Sequence, residues 1–230
     1  MTISIPRTLC YQLWLAVVLC LSCDQSLTGQ TLPPHVQARH QLGLSAGYDH
    51  TILALRLSYA RLLPTAGMAI GLEATQGSAL LGSDNYALGT TVAKWWGLGR
   101  KLFVRSGAAI TFTSADNLAA RARSLGVTVG AAPVYRAGRY AIGVDLSYTA
   151  HLATHLRHSA HARKYLYDNA VDGWYGFTAR NIRLGGLLTR SFGSRHEREL
   201  TLSGGYQTTG RFDRLLPRVY LNIDFNQILR

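Results

Sequence analysis

Tyr140-Ala141-Ile142-Gly143-Val144-Asp145-Leu146-Ser147-Tyr148 is the stretch that decides how the chain is read. Tyr140, Ile142, Val144, Leu146 and Tyr148 share one parity, while Ala141, Gly143, Asp145 and Ser147 share the other. Strict alternation of this kind marks a pleated strand whose two faces meet different surroundings. Within the apolar parity the order is also informative. Tyrosines stand at the ends and aliphatic residues between them, as expected where a strand crosses a hydrocarbon layer and leaves an aromatic side chain at each boundary.

The same period recurs along the chain. Segments are expected at about Leu42–Tyr48, Ile52–Ala60, Met68–Gln76, Tyr86–Trp96, Leu102–Thr113, Leu125–Tyr135, Tyr140–Tyr148, Arg180–Phe192, Leu200–Tyr206 and Val219–Phe225. Lys94 interrupts the apolar parity of the fourth. The connections alternate in length after a tight first turn at Asp49-His50. Short ones carry Pro64-Thr65, Gly97 to Gly99, Ala137-Gly138 and Gly193-Ser194; long ones cover about residues 77–85, 114–124, 153–177 and 208–216. Short turns on one side and long loops on the other predict an all-β, up-and-down antiparallel transmembrane barrel of eight to ten strands. The even count places both termini on the short-turn, periplasmic side. Aromatics then form two rings, Tyr48, Tyr86, Phe112, Tyr148 and Tyr206 at one boundary, and Tyr59, Trp96, Tyr135, Tyr140, Phe192 and Phe225 at the other.

Alternation alone does not separate this fold from a soluble barrel with its greasy face inside. The second face does. It carries Gly, Ala, Ser and Thr with a sparse set of charges, Arg56, Glu73, Arg105, Asp145, Arg183 and Asp224, which suits a narrow lumen and makes a poor soluble exterior. Only 16% of residues are charged, against ~25% in an average soluble domain.

The first 29 residues read as a signal peptide, with Arg7 ahead of an apolar run from Leu9 to Ser22 that is too short to span as a helix. Cleavage is expected near Gly29/Gln30, followed by a short periplasmic lead-in over residues 30–41 and the barrel over residues 42–230. Leu21-Ser22-Cys23 offers the alternative of lipidation at Cys23, and with it a lipid-tethered soluble ligand binder. Cys10, Cys20 and Cys23 all lie in this leader, so the rest of the chain has no thiol chemistry.

At this point the chain resembles the small outer-membrane β-barrels of Gram-negative bacteria, the OmpA/OmpX-type class, and in particular barrel proteins of Bacteroidetes. The resemblance rests on the Gly43-Leu44-Ser45-Ala46-Gly47-Tyr48-Asp49-His50 opening and on Asp172-Gly173-Trp174-Tyr175-Gly176. It implies a place in the outer membrane and recognition by the barrel-assembly machinery through a terminal aromatic. Here residues 226–230 follow Phe225, a departure from that pattern.

The formal charge of +12 comes almost entirely from arginine. It points to outer-membrane lipids and lipopolysaccharide phosphates as partners, and the dispersal of the arginines in an exported chain argues against nucleic acid. His155, His158 and His161 fall in the longest loop, and His151 stands just before it, on the lumen face of the seventh strand. On a helix His151, His155 and His158 would share a face able to hold Zn²⁺ or Cu²⁺, but no neighbouring carboxylate orients them, so no metal or other cofactor is assigned. Ser147 with His151 is the nearest approach to a catalytic pair and lacks a third group, so no enzyme is expected. The expected function is a monomeric structural or surface-interaction barrel with a plugged or very narrow lumen, making contact through Tyr165, Tyr167, Trp174 and Tyr175 of the long loop. The alternative is a small porin in which the arginine excess favours anions.

Overall fold

The computed structural model describes residues 39–49, 52–78, 84–116, 120–160, 163, 171–193, 197–208 and 219–229. The expected signal peptide, most of the lead-in, His161, Tyr165 and Tyr167 lie outside the described residues. Ten strands follow in order: β1 (His40–Asp49), β2 (Ile52–Leu63), β3 (Met68–Ser78), β4 (Asp84–Gly97), β5 (Leu102–Asp116), β6 (Ala120–Ala137), β7 (Tyr140–His158), β8 (Gly173–Phe192), β9 (Arg198–Thr208) and β10 (Val219–Leu229). Each pairs antiparallel with its neighbour in sequence, and β1 pairs with β10 to close the barrel. Closure leaves no sheet edge, so every strand has hydrogen-bonding partners on both sides.

The hydrophobic pattern is turned inside out. Among the described residues, forty large hydrophobic side chains are exposed, whereas seven larger than alanine are buried. Leu57 is 64% exposed, Ile142 61% and Leu72 59%. The register makes this one continuous wall: Leu44 stands between Phe225 and Leu57, and Leu146 opposite Leu184. Both aromatic rings are where the parity placed them. Tyr48, Tyr86, Phe112, Tyr148 and Tyr206 are exposed near the long-connection end, and Tyr59, Trp96, Tyr135, Tyr140 and Phe225 near the other, where Phe192 is half-buried. Hydrogen bonds fix several ring tips: Tyr59 with the His40 ring at 2.7 Å, and Trp96 Nε1 donating to Ser106 Oγ at 2.8 Å. Lys94, the interruption in β4, lies 4.0 Å from the centre of the Trp96 ring, a cation–π seat for its charge.

At the short-turn end, Pro64–Ala66 forms a single 3-10 turn that closes on Gly67 in the left-handed region, φ 59°. Gly138 does the same between β6 and β7, φ 63°. A side chain at either position would be strained. The tight first connection holds, since Asp49 pairs with Ile52.

Two of the expected long connections are in large part strand. The stretch 114–124 is one, because β5 runs to Asp116 and β6 begins at Ala120. The stretch 153–177 is the other, because β7 runs on to His158 and β8 begins at Gly173. These strands have 19 and 20 residues, about twice the ~9–11 needed to cross a membrane. The pairing shifts between His151 and Ala153, and Phe177 has a positive φ of 47°. This bulge reverses the parity, so alternation stops being legible where the sheet continues. Beyond it the hairpin packs a small core of Ala115, Ala120, Ala122 and Leu156 against Tyr175.

Candidate functional site: the barrel lumen

Strand parity sends the second set of side chains inward. Toward the short-turn end Leu62, Ala69, Trp95 and Ile228 form one buried apolar cluster and Ala132, Val134, Ala141 and Leu187 another, beside the buried polar Gln41, Ser191 and Glu199. At the far end lies the alanine-rich core of the extended hairpin. Between them is a polar layer that holds every expected lumen charge. Arg56, Glu73, Arg105, Asp145, Arg183 and Asp224 are all buried, at 2–8% exposure.

The register explains how these groups meet. Arg105 on β5 stands opposite Ala132 on β6. That methyl is too short to intervene, and Arg105 Nη2 reaches Asp145 Oδ1 on β7 at 3.6 Å. Asp224 and Arg56 flank Ser45 in a single row, and Arg56 Nε donates to Thr75 Oγ1 at 3.3 Å. Glu73 lies diagonally from Arg56 across the β2–β3 pair, within reach of attraction. Arg183 stacks its guanidinium 3.4 Å from the centre of the Tyr220 ring. With the Asn222 amide oxygen turned toward it, Arg183 also donates there. Tyr220 lies along the inner wall, over Gly205 of β9 and Gly185 of β8 in the same row. A Cβ on Gly185 would run into the Tyr220 hydroxyl, so the ring can lie there only because β8 has no side chain at that point.

Hydroxyl ladders complete the layer. Thr128 with Thr149, Ser124 with Thr154 and Thr189 with Thr201 form cross-strand pairs at 2.8, 2.6 and 2.9 Å. Gln41 Nε2 donates to Asn226 Oδ1 at 2.8 Å. Such pairs satisfy polar groups that water does not reach.

Two features escaped the sequence reading. Glu199 is buried at 1% exposure; it sits on the lumen parity of Thr201 and Ser203, one residue before the segment was taken to begin. Trp95 turns inward beside the outward Trp96, a sign that the parity already carried. With Glu199 counted, three guanidiniums face four carboxylates among the described buried residues. Among the described buried residues the lumen therefore does not carry the arginine excess of the chain as a whole.

The histidines do not converge. His151 points into the lumen at 3% exposure, and the His155 ring packs edge-on to Trp174 at 5.1 Å. A carboxylate does orient His158, contrary to expectation: the backbone N–H of His158 donates to Asp172 Oδ1 at 2.8 Å, and its ring nitrogen lies 3.0 Å from the same oxygen. Arg163 closes on the other oxygen. These bonds, the backbone one first, hold the Asp172 carboxyl below the ordinary carboxylate range. Ser147 and His151 both face the lumen, but four residues of extended β7 separate them by about 13 Å, beyond proton-transfer distance. Of the expected contact residues, Trp174 is 71% exposed and Tyr175 is half-buried, its hydroxyl donating to the Val171 carbonyl at 2.7 Å.

No protein-family model and no curated protein sequence matches the chain. Some solved structures are similar to it. The KdgM porin is similar at 8% identity and TM-score 0.44, over 83% of this chain and 99% of that one. The NanC porin is similar at 10% identity and TM-score 0.45, over 82% and 100%. The translocator domain of the autotransporter NalP from Neisseria meningitidis is similar at 10% identity and TM-score 0.43, over 96% and 95%.

Proposed function

We propose that the protein is an integral outer-membrane β-barrel, monomeric, with its short turns and both termini in the periplasm and its lumen closed to solutes. One observation carries this: a continuous apolar outer wall, bounded by two aromatic rings, encloses the buried charges. In water, such a wall would be an exposed apolar surface far larger than a soluble monomer carries. In a bilayer it is the ordinary exterior of a membrane barrel.

Closure follows from the filling of the lumen. A barrel of this strand number has an interior that side chains can fill, and open aqueous channels belong to larger ones. Here Trp95, Leu62, Val134, Leu187 and Ile228 are buried toward the short-turn end, and the stacked Arg183 and Tyr220 line the inner wall of β8 and β9. The proposed role is therefore structural or one of surface contact, and no catalytic step is assigned. The β7–β8 hairpin, which extends past the aromatic ring and exposes Trp174, is the proposed contact surface. Its exposed Arg157 and the neighbouring Arg123 and Arg180 suit lipopolysaccharide phosphates.

Two measurements test the reading. In detergent, an intact barrel migrates faster on a gel before boiling than after. In planar bilayers, the closed lumen gives no resolved single-channel steps. Steady conductance would replace the plugged barrel with a narrow porin, and the absence of heat-modifiable mobility would remove the membrane barrel itself.

A further inference from the structure

The outer wall is not evenly convex. A groove of about 950 Å³ runs across β10, β1, β2, β3, β4, β5 and β6, lined among others by Leu42, Tyr59, Leu72, Ala74, Leu88 and Phe225. This volume falls in the ~300–1,000 Å³ range of small-molecule sites. The register shows how it forms. Two outward rows run side by side: Gln227, Leu42, Tyr59, Leu72, Thr90 and Ile110 form one, and Phe225, Leu44, Leu57, Ala74, Leu88 and Phe112 the other. Between them lies the inward row Gly43, Ser58, Glu73 and Gly89, whose atoms also line the groove. Small residues inside this row let the wall draw inward. A Cβ on Gly43 would meet Ser58 Oγ and Asn226 Oδ1.

The groove begins at the short-turn rim, because Gln227 and Leu42 each stand two residues from the ends of their strands. Cations gather at that mouth. Arg198 heads the first row, pairs with Gln227 in register, and donates from Nε to Gln227 Oε1 at 3.0 Å. Arg61 follows Tyr59 at the next outward position of β2, and both arginines are exposed. Exposed Arg39 precedes β1 at the same rim. Glu199 turns inward, which leaves the half-buried Glu197 as the carboxylate of the described rim outside the lumen.

We propose that this groove is a binding site for an anionic phospholipid, with the phosphate between Arg61 and Arg198 and one acyl chain along the Leu42–Leu72–Leu88 trough. The proposal rests on the membrane reading above, and it assigns the occupant to the periplasmic leaflet. Guanidiniums at the girdle meet phosphate with charge-assisted bonds, while the trough gives a chain an apolar bed that a flat wall lacks.

The test uses the full mature chain in nanodiscs made from equal amounts of dioleoyl phosphatidylglycerol and dioleoyl phosphatidylcholine, with retained lipid read by native mass spectrometry. Wild-type protein retains phosphatidylglycerol over phosphatidylcholine by about tenfold, because both carry the phosphate but the choline head adds a cation that Arg61 and Arg198 repel. The double variant Arg61→Gln/Arg198→Gln loses the preference, and Ala74→Trp, which fills the trough from outside, reduces retention of both lipids. Arg100→Gln/Arg139→Gln, at exposed arginines of the short-turn end that do not line the groove, retains the wild-type pattern. An undiminished preference in Arg61→Gln/Arg198→Gln overturns the site, as does loss of it in Arg100→Gln/Arg139→Gln, which would spread phosphate recognition over the whole rim. Heat-modifiable mobility is recorded for each sample. A chain that never inserts refutes the membrane reading, whereas a folded chain without lipid preference refutes only the groove.

Discussion

Placing an arginine at Val144 tests the outer wall in the energy units that matter to it. Val144 is 46% exposed and lies midway between Tyr140 and Tyr148 on β7. Eight residues of strand span about 26 Å, or about 20 Å along the barrel axis at a tilt of ~40°, close to the ~25 Å height of a membrane barrel's apolar band. Val144 is thus about 10 Å from either boundary, at the greatest depth the strand offers. Val144→Arg should cost about 2–4 kcal/mol, whereas Tyr140→Arg, at the boundary, should cost about 0–1 kcal/mol. Ile142→Arg should fall between them. The folding equilibrium in phosphatidylcholine vesicles, followed by urea titration and gel mobility, reads this gradient. On a barrel wetted by water, the same exposed substitution would change stability by no more than about 0.5 kcal/mol. A flat profile, with Val144→Arg no worse than Tyr140→Arg, would refute the reasoning.

Inside the barrel, Arg105→Ala strands Asp145 as a buried charge and should cost about 3–5 kcal/mol, whereas the double variant Arg105→Ala/Asp145→Ala should recover most of it; a double variant no more stable than the single one would show that the pair is not coupled. Trp95→Ala in combination with Leu62→Ala removes the bulk of one buried apolar cluster at the short-turn end, and conductance steps should then appear in planar bilayers where none are expected of wild-type protein; a silent double variant would show that this cluster does not close the lumen. The Asp172–His158 link should make the tip of the β7–β8 hairpin acid-sensitive. Because the folded carboxyl titrates below its ordinary value, the protection it gives is complete above the usual aspartate range and is lost as pH falls through the lower, folded value. The hydrogen-exchange protection factor of the His158 amide, taken against the intrinsic rate at each pH, should fall at acid pH in wild-type protein and be low throughout in Asp172→Asn; a wild-type protection factor that does not change with pH would contradict the link.

The wall was legible in the sequence because its period is two and admits no adjustment. Leu53, Leu55, Leu57 and Tyr59 face outward together for the same reason that Ala54, Arg56 and Ser58 do not. Each of the six lumen charges named from parity is buried, since one-residue shifts would have inverted whole strands. What stayed hidden has local causes. The bulge at Leu152 and the positive φ at Phe177 break the period, so the sheet beyond them reads as loop although it pairs through Leu156 and Gly173. The orientation of His158 by Asp172 crosses a turn of uncertain length in sequence. The buried apolar clusters toward the short-turn end were missed for another reason: Leu62, Val134, Leu187 and Ile228 lie on the lumen parity near strand ends, where apolar residues read as boundary positions. The groove could not be read at all, because it depends on which outward rows end up side by side after seven strands are registered.

A single indole at position 57 tests the central claim most directly. Leu57→Trp is made in a chain whose own tryptophans are replaced by phenylalanine, and the protein is reconstituted in vesicles whose acyl chains carry bromine at mid-depth. Contact of the outer wall with hydrocarbon predicts blue-shifted emission and strong quenching by the bromines. Emission typical of an indole in water, unchanged by the brominated chains, would contradict it.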